Sequence, residues 1–459
     1  MTLFRFWLVL LSMVSAWPYT LVAEEAALRL ATFSADITIP LGHRCMGILD
    51  IKAQRIEDPL EARGFVLLGP DAPIVFVALD WCEIRNGAYD LWRDTLAAAA
   101  KTSRERVLIC SLHQHDAPVI DTEAQSLLDS VGLIGELFDV SFHQACLKDV
   151  AASVERGIAL AKPLTHIAIG QAAVDKIASN RRVVHDDGVV RYDRLSRSST
   201  DSPQAMADEG EIDPNLKSIH FLSGDQTLAV LSSYETHPMS SYGQGGVSAD
   251  FVGLARRRRQ QETPGTMQLY ATGCSGDVTA GKYNDGSAQA RAALIDRLYQ
   301  AMVQASQTSK ALKIDRVHFR CERFHLPFHE GENFQREAMT KVLHDDKASV
   351  RDRILSAMGL ASLNRIEGGQ PIDLPCLDFG AAQVVMLPGE SFVRYQLMAQ
   401  RIRPDSFVMA IGFGECWTGY IPTQQAFDER FGHDWRWVGP GCEAIISEAL
   451  TSVLRRPGN

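Results

Sequence analysis

"APIVFVALDWCEIRNGAYDLWRDTLAAAAKTSRERVLIC", Ala72 to Cys110, sets the fold class. "APIVFVALD" and "RVLIC" are short, continuous apolar runs, the signature of strands buried on both faces. Between them "AYDLWRDTLAAAAKTS" has helix-forming composition. Strand, helix, strand is therefore the predicted order, with "GFVLLG" (Gly64 to Gly69) as a neighbouring strand. The alternation continues: "SFHQACLKDVAASVERGIALA" (Ser141 to Ala161) has helical spacing, and "LTHIAIGQAAV" (Leu164 to Val174) returns to strand. "SIHFLSGDQTLAVLSSYETH" (Ser218 to His237) holds two strands joined by the "SGDQ" turn. The helix "GLARRRRQQ" and the strand "MQLYATG" follow. This pattern predicts an α/β protein, a mixed β-sheet core flanked by helices, in one large catalytic domain. The polar helical stretch at about 325–370 reads as an insertion, after which "AAQVVMLPGE" re-enters the core. No internal repeat is legible.

The 459 residues are 46% hydrophobic and 22% charged, an ordinary globular composition. The formal net charge is −10, with a pI near 5.7. An acidic chain gains nothing from counterion release on a phosphate backbone, so no nucleic-acid partner is expected. The basic run Arg256 to Arg259 reads as a solvated helix face. At the N-terminus, Arg5 precedes the apolar "FWLVLLSMVSAW", and small residues follow at "VSA" and "LVA". Residues 1–23 therefore read as an export signal, and residues 24–459 as the exported, periplasmic or secreted protein. An uncleaved membrane anchor is the alternative. Nine cysteines permit disulfides in an exported chain, but they lie scattered among apolar neighbours without a CxxC. Buried, inert thiols are the expectation.

"VLICSLHQHDAP" (Val107 to Pro118) puts His113 and His115 just past a buried strand. If strand geometry continues, both imidazoles project from one face and Gln114 from the other. A polar loop that happens to hold two histidines is the bland reading. His237 of "YETHPMSS" again ends an apolar strand, and again a proline follows. Two such histidines suggest a metal pair, and catalytic zinc sites use three protein ligands. Glu390 of "LPGES" can supply the carboxylate, or simply sit at a helix N-terminus. The Gly-rich "YATGCSGDVTAGKYNDGS" can cradle an oxyanion or only form a tight turn; it lacks the phosphate-loop spacing.

In order, "ADITIPLGHRCMGI", "DPLEARGFVL", "VFVALDWCEI", "SLHQHDAP", "SNRR", "YETHPMSS", "GCSGDVTAG", "LPGES" and "GYIPT" resemble the N-terminal catalytic domain of the neutral (alkaline, non-lysosomal) ceramidases. The resemblance implies a Zn2+ ion held by His113, His237, Glu390 and Tyr420. It further implies His115 as general acid/base, and Arg181 or Arg182 as stabiliser of the oxyanion; a surface ion pair is the other use for those arginines. Thr279 stands where the family has a catalytic serine, keeping the hydroxyl and adding a methyl group. Ala280 and Gly281 replace the family's Pro-Asn. The tyrosine downstream of Tyr420 is absent, with His433 and tryptophans nearby instead. The resemblance covers the family's catalytic domain and not its C-terminal immunoglobulin-like domain. The expected substrate is ceramide or a related N-acyl lipid, a partner compatible with peripheral membrane contact. A small non-lipid amide or ester on the same site, or a secreted binding protein without catalysis, are the competing readings.

Overall fold

The computed structural model describes residues 27–455, so the segment read as an export signal lies outside them. Three mixed sheets carry the fold. The first runs Val107–Ser111, Ile74–Leu79, Glu61–Leu68, Arg29–Asp36 and Lys162–Pro163. The second runs Met267–Thr272, Gln226–Tyr234, Asn215–Ser223, His166–Ala173 and Lys310–Lys313. The third runs Phe407–Ile411, Ala382–Met386, Ile372–Asp378 and His318–Phe324. In each sheet the first two strands named are parallel, and the next pairings are antiparallel.

The chain follows one plan three times. Three antiparallel strands lead into a helix, which crosses over to place the fourth strand parallel to the third. These crossover helices are Asn86–Ala100, Asp250–Glu262 and Val393–Ile402. A second helix then packs on the first strand of its own unit: Val140–Ala159, Ala288–Gln307 and Cys442–Val453. The repeat that the residues do not betray is thus present in the backbone. The units share a pattern of apolar runs, and such a pattern is satisfied by many different side chains.

Burial on both sheet faces explains the continuous apolar runs. In the first sheet Val75, Val77 and Leu79 pack toward one core, while Ile74, Phe76 and Ala78 pack toward another. The second core joins the sheets, with the Phe65 ring 4.9 Å from Phe221 and Phe221 5.9 Å from Phe379. The fourth strands meet at their carboxyl ends. Ser111 N–H donates to Phe413 O (3.0 Å), Gly412 N–H to Thr272 O (3.0 Å), and Thr272 Oγ1 to Leu112 O (2.7 Å). Open α/β sheets place ligands at such strand ends.

The arginine run is only in part the solvated face expected: Arg258 is exposed, but Arg256 turns inward. Arg256 is buried and forks onto Asp80, at 2.6 and 2.7 Å. Arg257 pairs with Asp58, Arg258 with Asp296, and Arg259 with Glu262. Helical spacing turns one of four consecutive residues inward, and there a carboxylate on the first sheet receives it. In the stretch 325–370 the helices are Arg336–His344 and Val350–Glu367, the second packed on helix Thr122–Ser130. All nine cysteines are free thiols, and eight are buried.

Two outcomes test this packing. Asp80→Asn leaves a buried guanidinium short of its counter-charge and should cost about 3–5 kcal/mol in denaturant unfolding. His143 is buried and accepts from Trp92 Nε1–H (2.8 Å). Burial lowers its pKa to about 4. Between that value and an unfolded pKa of about 6.5, the unfolded chain binds more protons, so stability falls as pH drops through this window. The buried carboxyls of Asp116 and Glu415, both raised to about 7, act with the opposite sign. Comparing Tm of the parent and His143→Gln across pH 4 to 7 isolates the imidazole. The variant should lose less stability on acidification, by roughly 3 kcal/mol near pH 4.

Candidate metal centre

Each unit sends one side chain to the meeting point of the strand ends. In the first, His113 stands two residues past Ser111 with φ +69°. Strand geometry therefore does not run through His113 and His115, contrary to the same-face expectation. The left-handed turn at His113 redirects the chain, a conformation costing about 1–2 kcal/mol in a non-glycine residue. Its N–H donates to Trp81 O (3.0 Å), anchoring the turn to the neighbouring strand. Gln114 faces away as expected, its Nε2 donating to Asp80 O. In the second unit His237 stands three residues past Tyr234 and bridges in parallel with Thr279. In the third, Glu390 lies directly opposite Tyr420 in a short parallel pair.

Glycines allow this closeness. A Cβ on Gly389 (φ +45°) would lie 2.0 Å from Thr418 Oγ1. One on Gly276 would lie 2.1 Å from Glu390 O. The glycine-rich loop thus serves close backbone approach, with Gly276 N–H donating to Ser391 O (3.0 Å).

His237 Nε2 is 2.9 Å and His113 Nε2 3.5 Å from Glu390 Oε2, and the three ligand atoms lie within 4.8 Å of one another. Ligands about 2.0–2.2 Å from a tetrahedral zinc are themselves about 3.3–3.5 Å apart, so the set fits. The Nδ1 sides point away. His113 Nδ1 is 3.1 Å from Cys82 O, and His237 Nδ1 is 2.5 Å from Ser275 O. With Nδ1–H spent on a carbonyl, each ring presents its Nε2 lone pair inward, the tautomer a metal ligand needs.

The electrostatics point the same way. Burial, helped by Arg181, lowers His237 to about 4, so its ring is neutral. Its Nε2 lone pair then faces a carboxylate oxygen, acceptor against acceptor, and a cation between them would relieve the repulsion. Burial alone would raise Glu390, but His113 and His237 hold it well below the carboxylate range. For His113 burial pulls down, while Glu390 and then Glu83 outweigh it and raise the imidazole. The two rings shift in opposite directions because His113 faces two carboxylates and His237 faces Arg181.

The other expected residues separate clearly. His115 is buried, its ring 5.4 Å from His113 and edge-on to Tyr242 at 4.6 Å. Neither ring nitrogen has a protein partner. Burial, then His113 and His237, hold its pKa well below the ordinary value. Tyr420 is buried beside His237, with ring centroids 6.1 Å apart, and its hydroxyl meets both Glu390 and Arg181. Arg181 is buried with its guanidinium 5.3 Å from the Tyr420 ring centroid. Arg182 points elsewhere, forking onto Glu429 at 2.8 and 2.7 Å. Thr279 lies beside His237, and its hydroxyl donates to Leu195 O (3.0 Å). The sequence reading missed Glu83, 3.9 Å from His113 Nδ1, and Phe413, whose ring stacks 4.3 Å from His113. A carboxylate just beyond an apolar strand was the signal available for Glu83, the same signal that marked Glu390.

No family model matches the chain, and no curated protein matches it. Among solved structures it is similar to a ceramidase complexed with C2, with a TM-score of 0.65 and 15% identity, over 94% of this chain and 75% of that one. It is likewise similar to neutral ceramidase from Pseudomonas aeruginosa, with a TM-score of 0.65 and 15% identity, over 94% of this chain and 74% of that one. At this identity the likeness is one of fold: the chain has the mixed-sheet α/β architecture of the neutral ceramidases.

Proposed function

We propose that this chain is a zinc-dependent amidohydrolase cleaving the N-acyl amide bond of ceramide or a related N-acyl lipid. The convergence of two carbonyl-locked imidazoles on the Glu390 carboxylate carries the reading. His113, His237 and Glu390 would hold the metal, with Tyr420 as a fourth ligand. Such a metal supplies Lewis acidity toward the amide carbonyl and acidifies water.

The remaining work falls to the chain. His115 is neutral, and both its nitrogens are free to exchange a proton. It accepts the proton of the attacking water as the C–O bond forms. It then returns that proton to the amide nitrogen as the C–N bond breaks, releasing a carboxylic acid and an amine. Arg181, beside the Tyr420 hydroxyl, stabilises the negative charge that develops on the carbonyl oxygen. Arg182 holds Glu429 and takes no part. Thr279 supports the site through its bridge to His237, its hydroxyl being spent on Leu195. Export through residues 1–23 belongs to this proposal, since an N-acyl lipid substrate is met at a membrane surface.

One observation favours the second reading, a small non-lipid amide or ester. His113, His115, Arg181, His237, Glu390 and Tyr420 are each at most 5% exposed, which suits a slender substrate.

Metal analysis of the purified protein should find stoichiometric zinc that His113→Ala removes along with activity. His115→Ala should keep the zinc and lose about 10²–10⁴-fold in turnover. A zinc-free parent protein, or full zinc in His113→Ala, would remove the metal site from the proposal. Labelled ceramide assayed beside short N-acyl amides separates the two substrates, and turnover of the short amides alone selects the second.

A further inference from the structure

The three units place equivalent residues around the centre. Glu83 stands four residues past Leu79, His237 three past Tyr234, and Glu390 four past Met386. Each then pairs in parallel with a residue beyond the fourth strand of its unit: Glu83 with Val119, His237 with Thr279, Glu390 with Tyr420. Two of these three positions are proposed metal ligands. The third is a carboxylate too, and it stands on the far side of His113.

Its surroundings are built around it. Glu83 is fully buried. Oε1 accepts from Trp435 Nε1–H (2.9 Å), and Oε2 from Arg85 Nη1–H (2.9 Å). Oε1 also lies 3.9 Å from His113 Nδ1, the nitrogen turned away from Glu390. Arg85 is itself buried, 4.2 Å from the Trp437 ring centroid, and its Nε lies 3.6 Å from Asp121 Oδ2. One guanidinium therefore faces two carboxylates, and Glu83 is the one that stands next to His113.

We infer that Glu83 is a positioning residue for this centre: its carboxylate, fixed by Arg85 and Trp435, stands behind His113 and sets how tightly the site holds a divalent metal. The inference rests on the metal reading of His113, His237 and Glu390. A carboxylate on the Nδ1 side makes the imidazole a stronger donor at Nε2, because it stabilises the positive charge the ring takes on when Nε2 gives its lone pair to a cation. Cys82 O fixes the tautomer, and Glu83 supplies the charge.

Zinc affinity, measured on the purified protein by competition with a chelator, tests this without reference to turnover. Glu83→Gln keeps the shape and removes the charge, and should weaken zinc binding about tenfold or more. Asp121→Asn removes a carboxylate from the other side of Arg85, so a merely structural role predicts the same result for both variants. We expect both to lower Tm and only Glu83→Gln to weaken zinc. Unchanged affinity in Glu83→Gln, or equal weakening in Asp121→Asn, overturns the inference alone. A parent protein without His113-dependent zinc overturns the metal reading and this inference with it. If Glu83→Gln fails to fold, Glu83→Asp keeps Arg85 paired while drawing the carboxylate back by one methylene. It should bind zinc severalfold more weakly, and parent-like affinity counts against the proposal.

Discussion

Three strand ends held to one another by hydrogen bonds to main-chain carbonyls are the constraint from which the rest follows. Ser111 N–H reaches Phe413 O, Gly412 N–H reaches Thr272 O, and Thr272 Oγ1 reaches Leu112 O. Each of these strands is the fourth of its sheet and runs parallel to the third. Two segments per unit must therefore leave the sheet at the same place. No hydrophobic core can fill a space where so many backbone groups end, so polar side chains belong there. The candidate centre occupies that space, and its ligands come from chain segments 124 and 153 residues apart because sheet geometry brings them together.

How far the sequence could be read depends on the kind of information involved. The strands Ile74–Leu79 and Val107–Ser111 and the helix between them were legible, because burial on both faces forces continuous apolar runs. His113, His237 and Glu390 were legible as strand-end polar residues, and the motif order supplied Tyr420. The left-handed turn at His113 was not, since nothing in "SLHQHD" requires it; the neighbouring Trp81 carbonyl imposes it. Arg181 and Arg182 could not be told apart, because the choice rests on Glu429, 247 residues away from Arg182. Asp80 was equally hidden as the partner of Arg256, 176 residues on. Long-range charge pairing leaves no local pattern in a chain.

The buried charges sort into two kinds. Arg256 with Asp80, and Arg93 with Asp373, are pairs in which every ion has a close counter-ion. Such pairs fix the register between elements more than they add stability. Around Glu390 the balance is different. His237 is neutral, and His115 is neutral with neither ring nitrogen hydrogen-bonded. A folded interior seldom leaves both nitrogens of a buried imidazole unmatched. The imbalance sets the candidate centre apart from the pairs that only hold the fold together.

Backbone strain at His113 invites a functional explanation, but the third unit argues otherwise. Phe413 stands at the equivalent place, two residues past Ile411, and it too has positive φ, +56°. Its ring stacks on His113, so the two turns face each other across the centre. A phenylalanine has no metal to bind, yet it adopts the same left-handed conformation. The turn therefore belongs to the backbone of the first and third units, where a parallel strand ends against a neighbour's carbonyl, while Cys274 at the same place in the second does without it. What distinguishes the first unit is the side chain placed on that turn. Chemistry enters this fold through substitution at positions the backbone had already brought together, and the strain at His113 is carried by the scaffold whether or not a ligand is bound.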